Sequence, residues 1–403
     1  MSTTAIDLTF PPHTPPAART ALSMLKRLQH GTLTVHLPDG TTQRFGDGSP
    51  HAAISLRNWN VCAAALKSGD IGFAESYMAG DWSSPSVADL LQVFLLNRHA
   101  VEDVIYGHWL GRLAYRLKHL LNRNTRAGSR KNIHAHYDLG NAFYQLWLDG
   151  TMNYSSAWFK GDFTRPLPAA QDAKVRRALT AAGVRPGQRV LEIGCGWGAL
   201  AEMAVTQFGA TVTGVTLSTE QLAYARERLD RSGAGERATL RLQDYRDIRD
   251  QPFDAICSVE MVEAVGREYW PGYFRTVSRL LKPGGRACIQ SIVIDDALFD
   301  RYVQGTDFIQ QYIFPGGLLP CPREFRREAE AAGLAVTESF AFGRDYAETL
   351  RRWRARFMAQ RDAVLALGFD ERFIRLWEFY LAYCEAAFDA GSIDVVQFTL
   401  QKR

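Results

Sequence analysis

The sequence has few cysteines, and no two of them form a C-x-x-C pair. The six cysteines among 403 residues are widely spaced, so neither a zinc or other metal site nor a disulfide framework is expected. Isolated thiols are typical of the reducing cytoplasm. No apolar run approaches the roughly 18–20 residues that cross a membrane as a helix. The proline-rich residues 1–19 lack the apolar centre of a signal peptide. These absences predict a cytoplasmic protein without a membrane span.

Net charge is also small, because 47 basic residues face 43 acidic ones and the formal charge is only +4. This total disfavours a nucleic-acid-binding protein. A local absence is more informative, since residues 104–137 contain no Asp or Glu but seven Arg or Lys between Arg112 and Lys131. The pattern predicts a basic amphipathic helix followed by a polar linker. It is either a solvated face and hinge or a surface for anionic lipid headgroups, with nucleic acid as a third interpretation.

Composition and periodicity divide the chain into segments. With 46% apolar and 22% charged residues it is an ordinary globular protein. We expect a disordered lead-in over residues 1–18, a small α+β domain over 19–121 with a possible lipid or dimer contact, a linker over 122–131, and a second domain over 132–403. In the first domain the Pro38-Asp39-Gly40 turn predicts a β-hairpin. The predicted helices there are Ala21–His30, Ala52–Lys67 and Ser86–Asn97.

Short apolar runs alternate with helical segments from about Ala169 onward. This alternation predicts an α/β fold, with a doubly wound parallel sheet covered by helices on both faces. A helix-rich insertion is expected at about residues 347–390. The predicted strands are Arg189–Ile193, Thr211–Val215, Ala238–Leu242, Phe253–Ser258, Ala287–Ser291 and Val395–Leu400.

A glycine-rich turn follows the first of these strands. The strand ends at Glu192-Ile193, and Gly194-Cys195-Gly196-Trp197-Gly198 leads into a helix. Glycines there allow a ligand close to the backbone, and the N–H groups of the new helix face it. The spacing is E-x-G-x-G-x-G rather than the dinucleotide G-x-G-x-x-G, and it is the signature of S-adenosylmethionine methyltransferases. The alternative is a tight strand–helix turn without a ligand.

The ends of the next two strands offer further cofactor contacts. Folds of this kind often hold the ribose with a carboxylate at the second strand tip, but no carboxylate stands there. Gln221, one helical turn on, is the better candidate. After the third strand, Asp244 is placed to accept from the adenine amino group and Tyr245 to pack near the base. A helix N-cap is the alternative role for Asp244.

From about residue 134 to the C-terminus, and more weakly over Gly69–Met78, the chain resembles the cyclopropane-fatty-acyl-phospholipid synthases, which are S-adenosylmethionine-dependent lipid methyltransferases. The resemblance implies a Rossmann-like class I methyltransferase fold with a seven-stranded, mostly parallel sheet. The matching strings are His136–Asn141, Tyr154-Ser155-Ser156-Ala157, Glu192–Gly198, Gly214–Ser218, Asp244-Tyr245-Arg246, Tyr312–Gly317 and Asp345-Tyr346.

The family's chemistry implies which residues act. A cis double bond in a phospholipid acyl chain attacks the sulfonium methyl, which leaves a carbocation that needs a dry pocket and a base. In the family that base is a bound bicarbonate, and the corresponding positions here are Glu263, Tyr346, Gln290 and the backbone of Ser156. Serine and glutamine stand where the pattern has cysteine and histidine, and glutamine cannot titrate. Tyr312 and Phe314 would line the substrate. The implied cofactor contacts are Tyr154, Ser155, Glu192, Gly194, Gly196, Thr216, Leu217, Gln221, Asp244 and Tyr245.

The product depends on how the cation loses its proton. Proton loss from the new methyl group closes a cyclopropane ring, which is the product expected here. A hydride shift leads instead to a methylene or methyl branch, and the methyl branch would need a reductase as a partner. The sequence also leaves open a small-molecule N-methyltransferase and a lipid-binding protein without catalysis. The resemblance further implies a homodimer that associates peripherally with the anionic inner face of the membrane. Arg112–Lys131 or the cluster Arg351–Arg356 would form the docking surface.

Overall fold

A computed structural model describes Phe10 and residues 13–99 and 139–403. The predicted basic stretch Arg112–Lys131 and the linker lie outside these residues. The helices are α1 (Pro16–Leu25), α2 (Asn60–Ala79), α3 (Val87–Leu96), α4 (Asn141–Trp147), α5 (Leu167–Ala181), α6 (Ala199–Thr206), α7 (Thr219–Arg231), α8 (Trp270–Leu280), α9 (Asp296–Tyr302), α10 (Phe308–Tyr312), α11 (Pro322–Ala331), α12 (Gly343–Ala359), α13 (Arg361–Ala366) and α14 (Glu371–Asp389). The strands are β1 (Gly31–His36), β2 (Thr42–Asp47), β3 (His51–Leu56), β4 (Trp82–Ser83), β5 (Arg189–Ile193), β6 (Thr211–Thr216), β7 (Ala238–Leu242), β8 (Phe253–Val259), β9 (Leu281–Ile294), β10 (Leu334–Ala341) and β11 (Ile393–Lys402).

These elements form two compact units. The first contains the described residues before position 100, Gly305–Ile313 and Phe357–Ser392. The second contains the rest of residues 139–403. The predicted division into 19–121 and 132–403 therefore differs from the contacts, because two segments of the later range fold with the first unit.

The first unit has a four-stranded sheet in the order β2-β1-β3-β4. The predicted hairpin is confirmed, since β1 and β2 pair antiparallel across the Pro38-Asp39-Gly40 turn. The helix predicted over Ala52–Lys67 is wrong in its first half. His51–Leu56 is instead a strand that pairs parallel with β1, and the helix begins only at Asn60. The helix predicted at Ser86–Asn97 is confirmed as α3, with Ser86 as its N-cap.

Aromatic packing explains why late segments belong to this unit. Phe73 of α2 stacks on Trp82 with ring centroids 4.4 Å apart. Phe379 of α14 packs 5.9 Å from Tyr77 of α2, and Phe308 packs 4.9 Å from Phe379. Such contacts bury large apolar areas, so residues far apart in sequence complete one core.

The second unit has the predicted seven-stranded, mostly parallel sheet, in the order β10-β11-β9-β8-β5-β6-β7. Only β11 runs antiparallel to its neighbours β9 and β10. Alternate residues of β5 enter two separate cores, with Leu191 and Ile193 in one and Val190 in the other. Because strand side chains alternate between faces, helices cover both sides of the sheet. This is the class I methyltransferase fold.

Within the described residues, no helix is both long and apolar enough to cross a membrane.

Candidate active site

The glycines of the loop after β5 adopt left-handed backbone conformations. Gly194, Gly196 and Gly198 have φ angles of +85°, +48° and +85°, which side-chain-bearing residues adopt only with strain. A Cβ at Gly198 would lie 3.0 Å from the Cβ of Ala225, so this glycine lets α6 and α7 approach. A Cβ at Gly196 would meet no atom of the described chain within 4 Å. The loop therefore presents bare backbone at the carboxyl edge of the sheet.

Hydrogen bonds connect the end of β6 to the start of α7. The Thr216 hydroxyl lies 3.0 Å from Gln221 Oε1, and the Gln221 N–H donates to Ser218 Oγ, which caps α7. Leu217 lies between these residues. This arrangement fixes Gln221 beside the tip of β6, as its position in the sequence suggested.

Asp244, at the end of β7, has the capping role that was its alternative to a cofactor contact. It accepts the Arg246 N–H at 3.0 Å. Its two oxygens also bind the Arg246 guanidinium, at 2.9 Å and 2.6 Å. Tyr245 packs edge-on against Tyr273, 5.5 Å away. The Asp244 charge is therefore balanced by Arg246, and a contact with adenine would have to share this carboxylate.

The Tyr154–Ser156 segment lies among aromatic residues and a buried lysine. The Tyr154 ring lies 5.5 Å from Trp147 and 5.6 Å from Trp353. The Ser155 hydroxyl accepts a hydrogen bond from the buried Lys174 ammonium at 2.5 Å, and burial lowers the pKa of Lys174 to about 8. Sequence reasoning missed Lys174, because a single lysine in an amphipathic helix carries no distinctive pattern.

Three of the four residues assigned to the anion site meet around Glu260. Glu260 Oε1 accepts the Ser156 backbone N–H at 2.9 Å and the Gln290 side-chain amide at 2.7 Å. Glu260 Oε2 accepts the Tyr346 hydroxyl at 2.6 Å. Ser156 and Gln290 are fully buried, whereas Glu260 is only partly buried. The carboxylate thus lies at the centre of the donors that the family resemblance assigns to a bound anion.

The orientation of the Gln290 amide is set by a relay that starts at Arg177. A guanidinium can only donate, and Arg177 donates to Gln397 Oε1 at 2.7 Å. The Gln397 amide nitrogen then donates to Gln290 Oε1 at 3.0 Å. This leaves the Gln290 amide nitrogen facing Glu260.

Glu263 lies three residues beyond Glu260 and has a different partner. Its Oε1 accepts the backbone N–H of Ile292. Burial, followed by the charge of Glu260, raises the pKa of Glu263 to about 8. Burial also raises the pKa of Glu260, but the hydrogen bond from Tyr346, the charge of Lys174 and the other two donors oppose this. Of this pair of carboxyl groups, Glu260 is therefore the one whose charged form is stabilised by surrounding donors, whereas burial and the charge of Glu260 favour the protonated form of Glu263.

This difference predicts a pH effect on stability. The pKa of Glu263 is higher in the folded protein than the ordinary 4.5, so its contribution is complete below about pH 4.5 and is lost as the pH rises towards 8. We expect the free energy of unfolding of Glu263→Gln, measured by urea denaturation at pH 5 and pH 8, to fall less with pH than that of the wild type. Glu236→Gln, at an exposed position of the same unit, is the control. Equal pH dependence in Glu263→Gln and wild type would contradict the assignment.

The two predicted substrate-lining residues belong to different units. Tyr312 lies in the first unit, where its hydroxyl donates to Glu75. Phe314 begins the next segment of the second unit, and its carbonyl accepts the Gly317 N–H at 3.0 Å. Their contact with substrate stays a prediction.

The second basic cluster is partly neutralised within its own helix. Arg351 and Arg352 bind the two oxygens of Glu348, at 2.6 Å and 2.7 Å. Arg352 also donates to the Phe163 and Arg165 carbonyls. These contacts favour a structural role for Arg352 over a docking role.

The sequence of residues 124–398 matches the model of the mycolic acid cyclopropane synthetase family. The chain belongs to this family.

Two similar proteins align with most of this chain. It is 41% identical to tuberculostearic acid methyltransferase UfaA1 of Mycobacterium tuberculosis, over 96% of this chain and 92% of that protein. It is 36% identical to cyclopropane-fatty-acyl-phospholipid synthase of Escherichia coli, over 88% of this chain and 89% of that protein. A crystal structure of mycolic acid cyclopropane synthase CmaA1 complexed with SAH and CTAB shares 34% identity and a TM-score of 0.64, covering 68% of this chain and 98% of that one. The protein is an S-adenosylmethionine-dependent methyltransferase.

The site residues fit this cofactor. Gly196 leaves room for a ligand against the backbone. The carboxyl of Glu192, immediately before the loop, is buried, and its Oε2 has no hydrogen-bond partner among the described residues. An orphaned buried oxygen is costly, and a bound cofactor with hydroxyl or ammonium donors would satisfy it.

The residues assigned to bicarbonate, in contrast, do not have free hydrogen-bonding positions for it. The Ser156 N–H, the Gln290 amide and the Tyr346 hydroxyl already bind the Glu260 carboxylate. A bicarbonate held by these groups would have to displace a side chain of the same charge. As folded, these residues do not fit a bound bicarbonate.

Proposed function

We propose that this protein transfers a methyl group from S-adenosylmethionine to the cis double bond of an unsaturated acyl chain in a membrane phospholipid. The observation that carries the proposal is a hydrogen-bonded carboxylate beside the cofactor loop. A Cβ at Gly194 would lie 3.2 Å from the side chain of Met261, so the residue after Glu260 adjoins the loop. A base next to the methyl donor is what an alkene methylation requires.

The chemistry divides between cofactor and protein. When bound, S-adenosylmethionine supplies an electrophilic methyl group on a sulfonium. Attack by the π electrons forms a carbon–carbon bond and leaves a cation on the other alkene carbon. The protein positions the two reactants, which is worth roughly 7–11 kcal/mol at best, excludes water, and accepts a proton.

The aromatic residues around Tyr154 support water exclusion. Trp147 and Trp353 are fully buried and pack against this ring and each other. Apolar walls protect a carbocation from capture by water. An amine substrate would need no such cation and no base strong enough to break a C–H bond, so this arrangement favours carbon over nitrogen methylation.

Two products follow from the same cation. Proton loss from the new methyl group closes a cyclopropane ring, the product that we expected from the sequence. The second candidate is a branched chain, in which a hydride shift moves the cation to the methyl-bearing carbon and proton loss gives an exocyclic methylene. The 41% identity to a tuberculostearic acid methyltransferase over 96% of the chain favours this second product. A saturated methyl branch would then need a separate reductase.

The bilayer origin of the substrate implies peripheral association with the membrane, and the family resemblance implies a homodimer. Both stay predictions, and the Arg112–Lys131 stretch that would contact the membrane lies outside the described residues.

The test is product analysis with the purified full-length chain. We expect that oleoyl-phosphatidylglycerol vesicles and S-adenosylmethionine yield acyl chains that gain one carbon, identified by mass spectrometry as ring or branch. Stearoyl vesicles, which lack a double bond, should give no product. Methylation of small amines with no change in either vesicle would overturn the proposal.

A further inference from the structure

The Glu260 carboxylate meets three of the groups that the family resemblance assigns to a bound anion. A carboxylate and a bicarbonate both present two oxygens in a plane, so one set of donors can serve either. Here the backbone N–H of Ser156, the Gln290 amide and the Tyr346 hydroxyl all donate to the side chain of Glu260. We propose that Glu260 is a built-in base that takes the place of bicarbonate, so that this chain catalyses its reaction without a bound anion. The inference rests on the proposed alkene methylation.

The backbone at Glu260 is an independent sign that its side chain is needed. Its φ is +49°, in the left-handed region where a glycine would be unstrained. A non-glycine residue is destabilised by steric strain in such a conformation. The backbone fold alone would therefore be better served by glycine, and the carboxylate compensates for this cost through its three hydrogen bonds.

The groups around Glu260 are hydrogen-bond donors and cations that stabilise a negative charge on its side chain. Gln290 donates without titrating, and the relay through Gln397 to Arg177 holds its amide nitrogen toward the carboxylate. The ammonium of the buried Lys174 favours the ionised form of Glu260. These groups stabilise the charged form of the carboxylate, and the two amides and the guanidinium cannot accept a proton in its place.

The proton-transfer step balances without a further reactant. A C–H bond of the transferred methyl group breaks, its electron pair forms the ring bond or, after the hydride shift, the exocyclic double bond, and the proton passes to a Glu260 oxygen. Glu260 becomes neutral and returns the proton to solvent before the next turnover. Glu260 is only partly buried, whereas Gln290 and Ser156 are fully buried, so of these three residues it is the one with access to solvent.

The experiment compares wild type, Glu260→Gly and Glu260→Gln. Activity on oleoyl-phosphatidylglycerol vesicles is measured in bicarbonate-free buffer and again with added bicarbonate or formate. We expect the wild-type rate to be the same in both. Both variants should lose about 100-fold or more in turnover, a common size for loss of a general base, while S-adenosylmethionine binding measured by calorimetry is retained. Only Glu260→Gly, which opens the anion position, should be rescued by either anion.

A second measurement does not depend on turnover. In ¹³C NMR titrations with labelled bicarbonate, the Glu260→Gly variant should bind the anion and the wild type should not. Wild-type binding of bicarbonate equal to that of the variant would overturn the inference, as would wild-type activity that depends on bicarbonate or a Glu260→Gly variant that is fully active in its absence. Loss of all wild-type activity on vesicles, with the NMR result as expected, would instead refute the proposed substrate.

Discussion

Replacing Gly196 with valine should lower the affinity for S-adenosylmethionine by about 100-fold, or about 2.7 kcal/mol. The φ of Gly196 is +48°, and a Cβ there would project into the space in front of the loop. A branched side chain would therefore occupy the position where a ligand approaches the backbone. Isothermal titration calorimetry with S-adenosylmethionine or S-adenosylhomocysteine measures the effect.

The control for this prediction is Gly233→Val. Gly233 also has a left-handed backbone, with φ of +70°, and a Cβ there likewise meets no described atom within 4 Å. Its backbone strain should be similar, but it lies after α7 and away from the loop. We expect Gly233→Val to lose thermal stability to a similar degree while binding the cofactor normally. Equal affinity losses in both variants would show that strain, and not contact with the cofactor, causes the effect at Gly196.

Replacing Tyr346 with phenylalanine should reduce turnover by about 10- to 100-fold, because a hydrogen bond to a charged group is worth about 1.5–3 kcal/mol. The Tyr346 hydroxyl donates to Glu260 at 2.6 Å and lowers the pKa of that carboxyl. Without it the pKa of Glu260 rises, and the carboxylate is protonated at higher pH. The acid limb of the kcat/KM profile should therefore move to higher pH.

Tyr383→Phe is the matched control. Its hydroxyl also donates to a carboxylate, Asp70, at 3.0 Å, but within the first unit. We expect Tyr383→Phe to change stability and to leave the acid limb in place. An unshifted acid limb in Tyr346→Phe would mean that Glu260 is not the group whose ionisation controls the reaction.

The sheet of the second unit was predictable from sequence because each of its signals is local. An apolar run, the glycines that follow it and the next helix lie within about twenty residues, and Arg189–Ile193 and Ala238–Leu242 are strands with the predicted bounds. The His51–Leu56 strand was missed because its alanines resemble a helix, whereas its pairing with β1 is a tertiary contact. The same limit applies to α14, which joins the first unit through aromatic contacts to residues about 300 positions away.

In the candidate site, the sequence alone could not predict which of two glutamates contacts the other site residues. Glu260 and Glu263 are both carboxylates and lie three residues apart. The resemblance selected Glu263, while the structure directs Glu260 toward Ser156, Gln290 and Tyr346. What distinguishes them is the left-handed turn at Glu260, a backbone conformation that no residue periodicity reveals.

The most direct test of alkene methylation with Glu260 as the base uses S-adenosylmethionine with a trideuterated methyl group and oleoyl-phosphatidylethanolamine vesicles, whose lipids offer both an alkene and an amine. After turnover by the wild type in bicarbonate-free buffer, mass spectrometry locates the label. We predict that the acyl chain gains one carbon bearing two deuterons, because the third is removed as the deuteron that Glu260 accepts. Label that carries all three deuterons on the headgroup nitrogen, with unchanged acyl chains, would contradict this mechanism.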